Sequence, residues 1–280
     1  MSGFAVTGLC SAELSMFRSK GRNQMEFKRS IISAAVLGAT VFSGNALAGS
    51  TSVNFGVMSD YLFRGLPQSG GTSAFGGIDT SYDSGLYVGT WVAQTNFAGG
   101  SGGADTEVDL YAAFAGEAGS IAYDIGAILY LYTEENEVKP GPQPASNNTF
   151  EIYGSASAGL FSLGFYYAIG DYFGAFNVDN PSEAADGAYG ISLGFSAPIS
   201  EMMTFDASIA TNGGEGNEFY TQTFGLGSTD DSYIDYSIGV NAEAESGMFM
   251  GLSLVGTDIE GPVGSDKPKV IVSGGFAFDI

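Results

Sequence analysis

The sequence predicts an all-β fold, a transmembrane antiparallel up-and-down β-barrel of about twelve strands. Three observations carry this prediction. From residue 49 onward, apolar and polar residues alternate in segments of about ten residues. The connections between these segments are alternately short and long. The last segment ends the chain with a strand that is apolar and aromatic on one face.

Residues 1–48 are predicted to be a leader that is removed on export. Met25 begins a stretch with a basic pair, Lys28-Arg29, an apolar run at 31–42 and a small-residue site, Ala46-Leu47-Ala48. These parts in this order are typical of a secretory signal peptide. We expect translation to start at Met25, cleavage after Ala48 and a single barrel domain over residues 49–280. A buried helix is the alternative for the apolar run, which is too short to span a membrane.

The charge balance of the predicted mature chain is strongly acidic. It keeps four of the nine basic residues and 29 of the 31 acidic ones, a formal net charge of −25. Nucleic-acid binding is not expected, because it requires Lys and Arg to neutralise phosphates. Such a surface attracts cations, either within a pore or as bridges to lipid headgroups.

Each predicted strand follows the period-two pattern, with glycine and alanine often in the polar positions. Such a soft alternation is typical of a transmembrane barrel. We place the twelve strands near residues 51–63, 72–83, 86–97, 105–116, 120–132, 148–160, 162–173, 187–198, 202–211, 232–244, 247–257 and 269–280.

The connections alternate as an up-and-down barrel requires, with short turns at one rim and long loops at the other. Because the strand number is even, both termini are expected at the periplasmic rim with the short turns. The short turns are predicted at Ser84-Gly85, 117–119, Leu160-Phe161, 198–201 and 245–247. The long loops are predicted at 64–71, 98–104, 133–147, 174–186, 212–231 and 258–268.

The last and first strands each divide into an apolar and a polar face. The final strand has Val270, Val272, Gly274, Phe276, Phe278 and Ile280 on one face, which resembles the assembly signal of outer-membrane barrels. An edge strand of a soluble barrel is the alternative. In the first strand the predicted lipid face is Val53, Phe55, Val57, Tyr61 and Phe63. Aromatic residues near strand ends suit interfacial girdles or core packing; these are Tyr87, Phe97, Tyr132 and Phe173.

Several classes of chemistry are excluded by composition. The chain has no histidine, which removes Ser-His-Asp hydrolysis and ordinary zinc sites. The single cysteine, Cys10, lies in the predicted leader. We therefore predict no catalytic residue, no cofactor, no metal site and no enzyme activity, with a carboxylate-only enzyme as a minor alternative.

Eight charged residues are candidates for the lumen wall or a constriction within it. They fall within or beside the predicted strands, mostly opposite the aliphatic residues. Arg64 is expected to pair with Asp60 or another lumenal carboxylate, because an unpaired buried charge is costly. The candidates are Asp60, Arg64, Glu107, Asp109, Asp124, Glu151, Asp206 and Asp235.

The long loops contain clusters of acidic residues. None follows the spacing of a calcium-binding loop, so solvated loops are the default and divalent cations at these positions the alternative. The clusters are 134–137, Asp179-Asn180 with Glu183 and Asp186, and Asp230-Asp231.

The segment Ser59-Asp60-Tyr61-Leu62-Phe63-Arg64-Gly65-Leu66-Pro67-Gln68 resembles the first strand of the TorF-type porin family, S-D-Y-x-F-R-G-I-S-Q. Pro67 departs from the usual Ser and affects only the shape of the first loop. Shorter matches follow at 85–91, 107–111, 151–153, 171–174 and 233–236. The resemblance implies an outer-membrane barrel with channel activity in Gram-negative bacteria. It implies no substrate and no catalytic residue.

Two functions are compatible with these features. The first is a passive channel for small hydrophilic solutes that favours cations, because carboxylates outnumber basic residues along the wall. The alternative is a closed or narrow barrel that acts through its loops as a structural or receptor protein. An inward-folded loop at about 133–149 or 212–231, with Tyr130, Tyr153, Tyr166 and Tyr233 facing inward, favours closure. For either function the expected partners are lipid, lipopolysaccharide and, through the last strand, the barrel-assembly machinery.

Overall fold

A computed structural model gives the fold of residues 49–96, 106–133, 147–177, 179–180, 184–223, 225–226, 232–260 and 267–280. The predicted leader at 1–48, the acidic cluster at 134–137 and Asp230-Asp231 lie outside these residues.

Sixteen strands and one helix occur in the described residues, numbered in chain order. They are β1 (Gly49–Met58), β2 (Leu62–Phe63), β3 (Leu66–Pro67), β4 (Ser73–Tyr82), β5 (Leu86–Gln94), β6 (Thr106–Ala118), β7 (Ile121–Thr133), β8 (Thr149–Ala158), β9 (Phe161–Ile169), β10 (Asp171–Phe176), β11 (Ala184–Asp186), β12 (Tyr189–Pro198), β13 (Met203–Gly213), α1 (Glu215–Thr223), β14 (Ser232–Glu243), β15 (Met248–Thr257) and β16 (Lys269–Asp279).

Twelve of these strands, all except β2, β3, β10 and β11, close into one antiparallel barrel. Each pairs with its neighbour along the chain, and β1 closes the barrel against β16, with Val53 opposite Phe278. Closure pairs the edges that an open sheet would leave free. The predicted twelve-stranded antiparallel barrel is confirmed.

Connections at the two rims differ in length, as predicted. The short turns occupy 83–85, 119–120, 159–160, 199–202 and 244–247, at the rim where β1 begins and β16 ends. The connections at the other rim span 59–72, 95–105, 134–148, 170–188, 214–231 and 258–268. We refer to these ends as the short-turn rim and the long-loop rim.

The outer surface of the barrel is apolar. Leu163, Leu193 and Ile209 lie side by side on β9, β12 and β13, and each is about half exposed. On the closing pair of strands, the rings of Phe55 and Phe276 are 5.9 Å apart. A closed barrel with its backbone groups paired between strands and an apolar outer face is suited to lipid. No helix within the described residues has the length and apolarity needed to cross a membrane.

The first barrel strand is shorter than predicted. It ends at Met58 instead of residue 63, and Tyr61 and Phe63 are buried inside instead of facing lipid. After Met58 the chain folds inward as the β2–β3 hairpin. Gly65 at its tip has φ +78°, and a Cβ there would collide with Thr257 on the barrel wall. The period-two pattern continues through this hairpin, and the sequence therefore predicted that the first strand extends to residue 63.

A second inward fold begins where β9 ends, at Ile169 instead of residue 173. Gly170, with φ +82°, turns the chain into the β10–β11 hairpin, and Phe173 is buried with φ +49°. Helix α1 contacts this hairpin. We call the inward segments 59–72, 170–177 with 184–187, and 215–223 the plug, which has three parts. Within 212–231, the alternative of an inward fold applies to α1, whereas 224, 227–231 and 134–146 lie outside the described residues.

Three aromatic residues that suited interfacial girdles are buried on the lumen side. They are Tyr87, Tyr132 and Phe173, so core packing, the alternative, applies to them. Phe97 lies outside the described residues.

A charge on the outer face should destabilise the barrel in a bilayer. Leu193→Arg, near the middle of β12, is expected to cost ~2–4 kcal/mol of unfolding free energy, measured by urea titration in lipid vesicles. The matched control is Ile199→Arg in the turn at the short-turn rim, where the same change should cost about 0–1 kcal/mol. Equal effects at the two positions would contradict a lipid-facing belt.

Candidate functional site

The centre of the plug is a buried ion pair between Arg64 and Glu151. Arg64 lies between β2 and β3 with φ +51°, and Glu151 faces inward from β8. The guanidinium donates two hydrogen bonds to the carboxylate, Nη1 to Oε1 at 2.9 Å and Nη2 to Oε2 at 2.7 Å. The exposed fractions are 5% for Arg64 and 1% for Glu151. This forked geometry suits a pair of charges removed from water.

Aromatic side chains enclose this ion pair. The guanidinium carbon lies 3.2 Å from the ring centroid of Tyr166 and 4.3 Å from that of Phe63. Tyr172 accepts a further hydrogen bond from Arg64 Nη1 at 2.9 Å, and Tyr130 donates to Glu151 at 3.2 Å. Tyr166 has room for this stacking because the facing residue is Gly190, whose Cβ would collide with the ring.

Protonation of the plug residues follows from their burial and charged neighbours. Burial alone lowers the pKa of Arg64, but the Glu151 carboxylate together with Tyr166 and Tyr172 raises it above its ordinary value. Burial raises the pKa of Tyr172 to about 12. Burial, together with the charge of Glu107, also raises the pKa of Tyr61. Arg64 therefore stays charged and both tyrosines keep their protons near neutral pH.

Glu107 on β6 forms a second contact between the barrel wall and the plug. Tyr61 donates to Glu107 Oε1 at 2.6 Å, and Tyr132 on β7 donates to Oε2. Tyr61 belongs to the plug and Tyr132 to the wall, so the carboxylate ties the two together. Two residues further along β6, Asp109 faces the same interior and is fully buried.

The remaining candidate carboxylates on the wall accept hydrogen bonds from neutral side chains. Asp124 accepts from Tyr87 at 2.8 Å. Asp206 accepts from Asn241 at 2.9 Å, and Asp235 accepts from Asn212 at 2.7 Å. Asp79 on β4, which was not among the candidates, accepts from Tyr111.

Asp60 lies apart from Arg64. It pairs with Lys269 of β16, Nζ to Oδ2 at 2.7 Å, where the lysine is 37% exposed and the aspartate 13%. The expected partnership of Arg64 with Asp60 is therefore not formed. Arg64 instead pairs with another lumenal carboxylate, Glu151, which was the alternative in that prediction.

The helix and hairpins of the plug are joined by amide side chains. Asn217 of α1 donates to the backbone oxygen of Gly213 at 2.9 Å and accepts from Tyr172 at 3.0 Å. Gln68 donates to Tyr220 of α1 at 3.2 Å. These links place all three plug segments in one hydrogen-bonded network with the wall.

One part of the inward wall carries small side chains. A continuous row of residues crosses β8, β9, β12, β13 and β14, each directly opposite the next: Ser157, Ser162, Gly194, Ser208 and Ser237. We call this the serine row. Its serines are partly exposed. Small side chains, mostly hydroxylic, therefore line this part of the inward wall.

Sequence reasoning missed Tyr61, Tyr132, Tyr172 and Asn217 as parts of the site. Tyr132 and Glu107 are directly opposite on adjacent strands, a contact that follows from the register of this hairpin. Tyr61, Tyr172 and Asn217 lie on inward folds that no local pattern marks. Tyr130, Tyr166 and Tyr233 are buried, and Tyr153 is partly buried and packs against the cluster that contains Tyr130 and Tyr233. No cluster of three or more metal-ligating side chains occurs among the described residues.

Breaking the central ion pair should be costly. Glu151→Gln leaves the buried Arg64 charge uncompensated and is expected to lower the unfolding free energy by about 3–5 kcal/mol in urea titrations. Asp60→Asn, which removes the partly exposed pair with Lys269, should cost about 0–1 kcal/mol. The double variant Arg64→Met/Glu151→Leu should recover much of the first loss. A cost for Glu151→Gln no larger than that of Asp60→Asn would contradict the buried pair.

Comparisons with known proteins agree with the fold. The KdgM porin aligns with a TM-score of 0.50 at 11% identity, over 81% of this chain and 99% of that one. The NanC porin aligns with a TM-score of 0.52 at 9% identity, over 82% of this chain and all of the other, 100%. Likeness at such identity shows a shared barrel fold. None of the curated proteins matches. The TorF-type resemblance remains a prediction. A family model matches residues 44–278, and the chain therefore belongs to Gcw_chp, a family of bacterial proteins of unknown function.

Proposed function

We propose that this chain is a porin-type outer-membrane channel that passes small hydrophilic solutes and favours cations. The charge along the lumen carries the proposal. Glu107, Asp109, Asp206 and Asp235 are buried on the inward face. Arg64 is the one basic side chain buried in the described residues, and Glu151 neutralises it. Fixed carboxylates along a wall raise the local cation concentration. The two similar barrels carry the name porin.

The path through this channel is narrow at the plug. Wall and plug side chains meet there around Arg64, whereas the serine row lines the inward wall with small side chains. Solutes would enter through the long-loop rim, pass the plug and leave past the serine row. The constriction limits passage to small solutes.

Export and assembly complete the proposal. The leader at 1–48 is cleaved after Ala48, and residues 49–280 form the mature barrel. The final strand presents Val270, Val272 and Phe276 outward, as an assembly signal read by the barrel machinery requires. Lipid and lipopolysaccharide surround the outer face, and the acidic loops are candidates for divalent cations.

A closed barrel is the second candidate, and the burial of the plug favours it. Arg64 and Glu151 are nearly inaccessible to solvent, and Tyr172, Phe173 and Tyr220 are packed against one another. In that case the barrel would act through its long loops as a structural or receptor protein.

Planar-bilayer recording distinguishes the two candidates. Refolded residues 49–280 in a KCl gradient should give discrete current steps with a reversal potential that favours K⁺. The preference should weaken in 1 M salt, where the Debye length falls to about 3 Å. A preference for Cl⁻ would refute the cation selectivity. No current from a barrel whose gel mobility is heat-modifiable would select the closed barrel.

Removing the central ion pair should widen the channel. Arg64→Ala/Glu151→Ala deletes the two side chains that join plug and wall at this level, with no change in net charge. Larger single-channel steps are expected in the same recordings. The matched control, Asp60→Ala/Lys269→Ala, removes the pair nearer the rim and should change the steps less. Steps of unchanged size in the first variant would place the conducting path away from the plug.

A further inference from the structure

Asp109 occupies an aromatic corner of the plugged lumen. It faces inward from β6, directly opposite Trp91 on β5 and Tyr130 on β7. All three side chains are buried, and Asp109 has no exposed surface (0%). The plug residue Tyr61 covers the same corner, with its ring 5.3 Å from that of Trp91 in an edge-to-face arrangement.

Neither carboxylate oxygen of Asp109 has a hydrogen-bond partner within the described part of the chain. The two nearby carboxylates, Glu107 and Glu151, do have hydrogen-bond partners. Glu107 accepts from Tyr61 and Tyr132, and Glu151 accepts two bonds from Arg64. Buried polar groups in folded proteins are nearly always partnered, and an exception indicates a missing ligand, ion or water. A buried carboxylate is costly unless it takes up a proton or meets a compensating positive charge.

The charges around Asp109 are also unbalanced. Tyr130 lies opposite Asp109 and donates to Glu151, so these carboxylates share one neighbourhood with Glu107. Arg64 supplies a single positive charge, and Glu151 takes up both of its terminal nitrogens. The neighbourhood therefore contains two further carboxylates without a cationic partner among the described residues.

We propose that Asp109 is the central ligand of a binding site for a monovalent cation, walled by Trp91, Tyr61 and Tyr130. A divalent ion would require more oxygen ligands than the single unpartnered carboxylate of Asp109 offers. A monovalent cation is compensated by one carboxylate, and aromatic faces add attraction for a cation that has lost part of its water.

The site deepens the proposed channel function and rests on it in one respect. Because the corner lies at the level of the plug, a cation that crosses the lumen would lose water here and pause beside Asp109. Binding itself does not require conduction, so the two ideas can be tested separately.

The fluorescence of Trp91 reports directly on cation binding, because Trp91 is the only tryptophan among the 280 residues and lies opposite Asp109. Thallium(I), a heavy monovalent cation of potassium-like size, quenches indole fluorescence on contact. The refolded barrel is titrated with thallium nitrate at constant ionic strength set by N-methylglucamine nitrate. Quenching should saturate in the wild type and be lost in Asp109→Asn.

Two further variants guard against indirect effects. Glu201→Gln removes the same charge from the exposed turn between β12 and β13 and should retain saturable quenching. Asp109→Glu keeps the charge and should retain saturation at a shifted midpoint. Heat-modifiable gel mobility confirms that each variant is folded. Quenching that is linear and equal in the wild type and Asp109→Asn would overturn the site.

A bilayer measurement separates this inference from the channel proposal. In a conducting wild type, Asp109→Asn should reduce the preference for K⁺ over Cl⁻ more than Glu201→Gln does. A cation-selective wild type with saturable quenching unaffected by Asp109→Asn would refute the site and leave the channel standing. A silent wild type with saturable, Asp109-dependent quenching would refute the channel and leave the site standing.

Discussion

The buried pairing of Arg64 with Glu151 is the interaction around which the interior is organised. Two charges taken out of water are costly unless their geometry is good and their remaining hydrogen-bonding groups are largely partnered. Here the carboxylate receives two bonds from Arg64 and one from Tyr130. The pair joins the first inward hairpin to a strand 87 residues away along the chain. The ring stacking and the left-handed backbone at Arg64 both serve to bring its guanidinium to that carboxylate.

Around this pair the interior divides into two unlike halves. Toward the long-loop rim it is filled by aromatic rings that meet edge to face, such as Phe63 with Phe173 at 5.6 Å. Elsewhere on the inward wall the side chains are small, as at Ser208 and Ser237, which share a hydrogen bond at 2.7 Å. One continuous sheet thus carries two kinds of lining, because the residue type at each inward position changes along every strand.

The barrel was predictable from sequence because its signals are local, whereas the plug depends on contacts between distant residues. Alternation and turn residues located all twelve barrel strands and both classes of connection. Tyr61 and Phe63 keep the alternation of β1, so only Glu107 and Tyr130, far along the chain, reveal that they turn inward. The candidate carboxylates were identifiable by their side of each strand. Which one would pair with Arg64 was not, because Asp60 and Glu151 are equivalent by type.

The closing of β1 against β16 sets an order for folding. Met58 pairs with Ser273, so the seam joins residues at opposite ends of the barrel domain and cannot form before the last strand is present. The plug hairpin at 59–72 begins directly after β1 and must reach the interior while the wall is still open, or enter through the long-loop rim. Once the seam is made, the hairpin is enclosed by a wall without edges. The hairpin can then leave only through the long-loop rim. The rate of that passage therefore determines how long the plug stays inside the closed barrel.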